Sequence, residues 1–236
     1  MDRSVTILGI DTSARTCTAC LYADRVLSSY TQTDGPTHSQ QLLPAVRQIL
    51  DEGNCSVAQL DAISVSVGPG SFTGLRIGIS AVKGLSFSRR IPCVPVSTLE
   101  ALATNAADYE GFTVCALMDA RRGEFYYGLF SIRNGIAHRL KEDCALSGET
   151  IAREIASTEK RLILGDGAEK FVFLFSEFAK DLAPLEMRYQ KGESVAILGR
   201  RLFLEGKWVS CHALSPSYLR LPQAEREWNE KHQSVK

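Results

Sequence analysis

The sequence predicts an α/β fold built from two related units, and three observations carry that prediction. An apolar strand, a polar turn opening on an aspartate and a returning strand occur around Asp11 and again around Asp119, with Leu21-Tyr22 and Leu129-Phe130 at matching offsets. A strand running into a glycine loop and a helix occurs at Gly68-Pro69-Gly70 and again at Gly165-Asp166-Gly167. The chain has 236 residues, which suits two units of about 100–120. Together these describe a duplicated meander-plus-helices fold with a cleft between the copies.

Each element follows from local pattern. Residues 5–10, 16–22 and 26–33 read as three strands, separated by polar turns at 11–15 and 23–25. Gly35-Pro36 breaks the run, and a helix follows over 37–52, its Leu42, Leu43, Val46, Ile49 and Leu50 at helical spacing and Gly53-Asn54 ending it. A strand at 62–67 leads through the glycine turn to a helix over 72–88 capped by Ser71. A strand at 92–96 and a helix from Ser97 or Thr98 to about 107 close the first unit. The second has strands at 112–118 and 124–130, a hairpin signal at Asn134-Gly135, a helix at 149–157 and a strand at 162–164. Helices at 168–180 and 193–205 finish it. The units run 1–109 and 110–221, and 222–236 is a polar tail.

Composition excludes several classes. Basic and acidic side chains number 27 each, so net charge is zero, which argues against a chain that grips nucleic acid alone, though not against local asymmetry. Seven scattered cysteines suit a reducing cytosol rather than a disulfide framework. Cys17 and Cys20 form a CxxC on a strand, where residues three apart face opposite ways, so they read as packing residues. No signal peptide or membrane-length apolar run is expected, which makes the chain a soluble cytoplasmic protein. The four histidines form no HExxH or HxxxH, and no GxSxG is present.

The helix over 72–88 is the unusual element. Gly74, Gly78 and Gly84 lie inside it, each costing about 1 kcal/mol against alanine, so something must approach closely. Leu75, Ile79 and Val82 form a face suited to the chain's own sheet, and Gly74, Ile77, Gly78, Ala81 and Leu85 form a second, flatter one. That second face fits either the neighbouring helix at 37–52 or a partner molecule. The P-loop pattern requires a lysine where Leu75-Arg76 stand, so no P-loop is expected, although a helix N-terminus still attracts anions. Asp11 and Asp119 suit either a hydrated Mg²⁺ beside nucleotide phosphates or ordinary turn chemistry. Arg121-Arg122-Gly123-Glu124 suits either an anion or partner carboxylate, or a solvated tip.

Three motifs, LGIDTS at 8–13, GPGSFTGLRIGISAVKGL at 68–85 and MDARRGEFY at 118–126, resemble the TsaB (YeaZ) family over residues 5 to 220. That resemblance implies the actin-like ATPase (ASKHA) architecture of two RNase H-like domains. It implies a noncatalytic subunit of the machinery making threonylcarbamoyladenosine in tRNA, without independent activity. The implied partners are the catalytic paralogue TsaD, joined as a heterodimer through the helices of the first unit, and the ATPase TsaE, with tRNA met through the complex and no membrane. Alone, the chain is expected to pair with itself through the same helices. TsaD-type relatives carry an HxxxH metal motif where Thr98 and Leu102 stand here, so neither metal nor cofactor is expected. A degenerate ATP/Mg site would use Asp11, Asp119, Gly165 and Gly167. An ATP-binding small-molecule kinase or ATPase on these residues is the alternative.

Overall fold

The computed structural model describes residues 4–33 and 37–220, which leaves Gly35-Pro36 and the tail over 222–236 outside the described residues. Strands β1 (Ile7–Asp11), β2 (Cys17–Ala23) and β3 (Arg25–Gln32) form an antiparallel meander. Strands β4 (Ala62–Gly68) and β5 (Cys93–Ser97) add to its β1 edge in parallel, giving the order β3-β2-β1-β4-β5. Helices α1 (His38–Glu52) and α2 (Phe72–Phe87) pack on it. The second sheet repeats the arrangement with β6 (Thr113–Asp119), β7 (Glu124–Arg133), β8 (Ile136–Ser147) and β9 (Arg161–Leu164) in the order β8-β7-β6-β9. Two RNase H-like sheets of the actin-like ATPase kind result.

The duplication is inexact at one point. Asp11 pairs with Thr18, whereas Asp119 pairs with Phe125, so the second hairpin loop is one residue shorter. Arg121, Arg122 and Gly123 make the tighter turn with φ of 64°, 53° and 79°, values that L side chains seldom adopt.

Packing departs from the division at 109/110. Helix α3 (Thr98–Thr104), assigned to the first unit, buries Leu99, Leu102 and Ala103 against Val114, Ala116 and Phe130 of the second sheet. Helix α6 (Gly192–Leu204), assigned to the second, buries Val195, Ala196 and Leu198 with Ile7 and Val94 of the first. Each sheet is covered by a helix from the other half, because the apolar stripe of each helix meets whichever sheet face is still bare. An ion network crosses the same junction: Glu100 accepts from Arg139 at 3.1 Å and from Arg201 at 2.6 Å, and Ser97 Oγ donates to Asp143 at 2.6 Å. On the outer face of the second sheet lie α4 (Gly148–Ile155) and α5 (Ala168–Leu174). The helix expected over 168–180 stops at Leu174 and continues as a 3₁₀ turn over Ser176–Asp181, because Phe175 (φ −128°, ψ 76°) leaves the helical region to pack on Phe171.

The glycines of α2 correct the docking expectation. A Cβ on Gly74 would lie 2.0 Å from the Thr12 carbonyl oxygen, and one on Gly78 would lie 2.5 Å from Thr12 Oγ1. Both therefore face the chain's own first loop, not a partner, and leucine at 78 would damage the fold rather than only a docking surface. Leu42, Val46, Ile49 and Leu50 are likewise fully core. Of the expected partner-facing residues, Leu43 is 51 % exposed, while Ile77, Ala81 and Leu85 are half-buried. Gly84, on the outer side, has no atom within 4 Å of a Cβ position.

Opposite effects follow from this division. Gly74→Ala is expected to lower unfolding stability by about 2–3 kcal/mol through overpacking. Gly84→Ala is expected to raise it by about 0.5–1 kcal/mol through helix propensity. Urea unfolding midpoints measure both, and destabilisation by both would contradict the assignment of the two faces.

Candidate functional site

The loops that leave β1, β4, β6 and β9 all converge on one cleft between the sheets, of about 610 Å³. In open α/β sheets this end of the strands is where ligands bind. Its walls are the first loop (Ser13 to Arg15), the start of α2 (Pro69 to Thr73), the β6–β7 turn and Asp166.

The first loop is clamped onto α2. Thr12 Oγ1 donates to the Gly74 carbonyl at 2.7 Å, and the Ser71 amide donates to the Ser13 carbonyl at 2.6 Å. Ser71 Oγ accepts from the Gly74 amide at 3.2 Å, which makes it the helix cap that the sequence anticipates. Gly70 must lack a side chain, since a Cβ there would lie 2.5 Å from the Ser13 carbonyl.

Three carboxylates stand at this end of the strands; the chain answers Asp11 and Asp119, while the buried Asp166 Oδ1 has no hydrogen-bond partner among the described residues. Asp11 is fully buried; its Oδ1 accepts from the Ser13 amide at 2.8 Å and the Ser13 hydroxyl at 2.7 Å, and its Oδ2 from the Ser66 hydroxyl. Burial raises its pKa, and these three donors work against the rise. Asp119 accepts from the Arg121 amide at 2.8 Å and pairs with the Lys170 ammonium at 2.8 Å. Asp166, between the two loop glycines, is pushed up to about 6 by burial first and then by the charges of Asp119 and Asp11. Gly165 and Gly167 serve packing: Cβ atoms there would lie 1.9 Å from the Leu117 carbonyl and 2.9 Å from the Asp119 amide nitrogen. Asp11 and Asp119 thus stand on corresponding strand ends. Among the described residues, no group of three or more histidine, cysteine, aspartate or glutamate side chains could hold a metal ion.

A further wall, Ser217 to Arg220, carried no sequence signal. The Ser217 amide donates to Val67 at 2.7 Å, and Tyr218 stacks on Phe72 at 4.5 Å with its hydroxyl accepting from Arg76 Nε at 3.0 Å. Arg220 donates to the Ala120 carbonyl at 2.7 Å and pairs with Glu124. This strap ties the first sheet's helix to the second sheet's turn, and it takes up Glu124 from the Arg121-Arg122-Gly123-Glu124 tip.

The remaining candidates are structural. Cys17 and Cys20 lie in different cores on opposite faces of β2, and burial pushes their thiols up to about 11 and about 12. Thr98 and Leu102 are buried on α3. No helix among the described residues is long and apolar enough to cross a membrane.

Comparisons with known proteins agree with this architecture. Residues 26–228 match the family described as TsaD, tRNA N6-adenosine threonylcarbamoyltransferase. The tRNA threonylcarbamoyladenosine biosynthesis protein TsaB of Escherichia coli (strain K12) is 32 % identical over 217 residues, covering 91 % of this chain and 94 % of its own. The protein of the same name from Bacillus subtilis (strain 168) is 32 % identical over 235 residues, covering 96 % and 99 %. A solved structure of YeaZ from Pseudomonas aeruginosa superposes with a TM-score of 0.76 at 29 % identity, covering 91 % of this chain and all of that one. The duplicated RNase H-like sheets, the clamped glycine helix and full-length relatives at this identity place the chain in the TsaB (YeaZ) family of tRNA threonylcarbamoyladenosine biosynthesis proteins.

Proposed function

We propose that this chain is a noncatalytic subunit of a tRNA threonylcarbamoyladenosine synthase. In this reading it binds a TsaD-type partner and supports that partner's transfer of threonylcarbamoyl from threonylcarbamoyl-AMP to the tRNA adenosine next to the anticodon. A TsaE-type ATPase joins the larger assembly, and tRNA is met in the complex. The observation that carries the reading is the outer edge shared by α1 and α2. There Leu43 is 51 % exposed, Ile77, Ala81 and Leu85 are only half covered, and Gly84 leaves a gap that a neighbouring helix would fill. Small residues beside apolar ones suit close helix–helix packing. The same edge would pair two copies when the partner is absent.

The second reading is a nucleotide-dependent kinase or ATPase, favoured by a cleft of about 610 Å³ at the N-terminus of α2. Against it, Asp119 is already held by Lys170 and Asp11 by three hydroxyl and amide donors. A Mg²⁺–phosphate unit would have to displace these partners. Titration of the isolated chain with Mg²⁺-ATP separates the readings: tight binding with turnover supports the enzyme and contradicts the subunit proposal.

Leu43→Glu and Gly84→Leu, which touch little of the core, are expected to prevent the heteromer with the TsaD-type partner while leaving the melting temperature of the isolated chain within a few degrees. Light-scattering chromatography of the mixture measures this, and wild-type assembly by both variants would refute the assigned edge.

Asp166 generates a pH prediction for the cleft. Its folded pKa of about 6 exceeds the ordinary aspartate value of 3.8, so the folded state binds the proton more tightly than the unfolded chain. Stability from this group is present below about pH 4 and is lost as pH rises through about 6. Asp166→Asn should therefore stabilise the protein by about 1–2 kcal/mol at pH 7 and by little at pH 4. Thermal unfolding at the two pH values checks this, and an equal effect at both would show that ionisation is not the cause.

A further inference from the structure

Where α2 ends, the neutral chain becomes locally basic and aromatic. Phe87 is 65 % exposed and meets the His212 ring edge-on at 5.9 Å. Arg89 and Arg90 follow it on the surface, and Lys83 stands one turn earlier, near Cys93. The segment carrying Trp208, 49 % exposed, is tied to the same corner by the two backbone hydrogen bonds between Cys93 and Val209, at 2.8 and 2.9 Å. Among the described residues, Lys83, Arg89 and Arg90 have no carboxylate partner. The carboxylates at this end are engaged elsewhere: Glu205 by Lys207 at 2.7 Å and Asp61 by the Thr6 amide at 2.8 Å.

Arg90 has an added peculiarity. Its φ is 54°, in the left-handed region where glycine and asparagine are favoured. The helix end accounts for it: the Ile91 amide donates to the Ser86 carbonyl at 3.3 Å, closing the turn past α2 over a left-handed Arg90.

We propose that this corner, with Lys83, Arg89 and Arg90 as cations and Phe87 and Trp208 as exposed rings, is a contact surface for RNA. Cations without internal partners neutralise backbone phosphates, and the release of counterions drives that association. Exposed aromatic rings among them offer stacking surfaces for unpaired bases. The inference rests on the subunit role proposed above and adds to it: tRNA touches this chain directly, at the end of α2 beyond the edge assigned to the protein partner.

The test uses the complex of this chain with its TsaD-type partner, carrying Arg89→Gln and Arg90→Asn. Asparagine accepts the left-handed backbone, so the melting temperature should hold or rise. Fluorescence anisotropy with tRNA is expected to show roughly tenfold weaker binding and a slope of log affinity against log salt reduced by about 1.5. Assembly with the partner should be unchanged. Unchanged tRNA affinity and slope would overturn the inference while leaving the subunit role intact. Loss of assembly would overturn it differently, by making the corner part of the protein interface. Failure of the wild-type chain to assemble would refute the subunit role itself. Binding of the wild-type complex to phosphatidylglycerol vesicles, abolished by the same variants while tRNA binding is not, would assign the patch to lipid and overturn the RNA inference.

Discussion

The clamp between Thr12 and the first turns of α2 is the constraint on which the rest depends. Helix α2 lies against the first loop with no room for a Cβ at Gly74 or Gly78. Thr12 Oγ1 is satisfied by the Gly74 carbonyl, and Ser13 receives the Ser71 amide. That approach fixes where Asp11 lies, holds Ser66 and Ser13 around its carboxylate, and sets one wall of the cleft. It also sets the rotation of α2 about its axis. With Gly74, Leu75, Gly78, Ile79 and Val82 inward, Ile77, Ala81, Gly84 and Leu85 are left on the edge beside α1. The exposed α1–α2 edge and the cleft wall are thus two consequences of one close packing.

The two sheets are joined more tightly than a duplicated chain requires. The exchange of α3 and α6 puts apolar side chains of each half under the other's sheet, and the Glu100 network lies at the junction. Partly buried ion pairs of this kind are weak sources of stability but costly to break from one side, so they fix relative placement more than they add free energy. The strap over Ser217 to Arg220 adds a further tie at the cleft mouth, through the Phe72–Tyr218 stack and the Arg220–Glu124 pair. The two sheets are thus tied together at the α3–α6 junction and again at the cleft.

Much of the fold was legible in the sequence because strands and helices are written in local periodicity. The meander, the α1 stripe, the Ser71 and Ser97 caps and the Asn134-Gly135 hairpin all appear where short-range pattern places them. Contacts far apart in sequence left no such trace. Nothing local says that α3 and α6 change sheets, or that residues 217–220 return to Val67 and Phe72. The glycines of α2 announced a close approach without naming the approaching group. Thr12 was the answer at Gly74 and Gly78, while Gly84 alone kept its outer side open. The hairpin aspartates were legible as turn residues, but the burial of Asp11 under Ser13 and Ser66 rests on a contact 55 residues away in sequence.

The charge balance explains why the cleft and the surface play different parts. Beneath the cleft, the buried Asp11 is held by hydroxyl and amide donors; in its wall, Asp119 is held by Lys170, and Asp166 lies where burial favours its protonated form. Two of these acids are thus held by the chain's own donors, and the third keeps a buried oxygen without a hydrogen-bond partner among the described residues. On the outside stand apolar area at the α1–α2 edge and cations where α2 ends. Zero net charge conceals this, because it sums over the whole chain and says nothing of where the charges stand. Free energy of association is available where partners are missing, and in this chain partners are missing at the two surfaces that α2 presents.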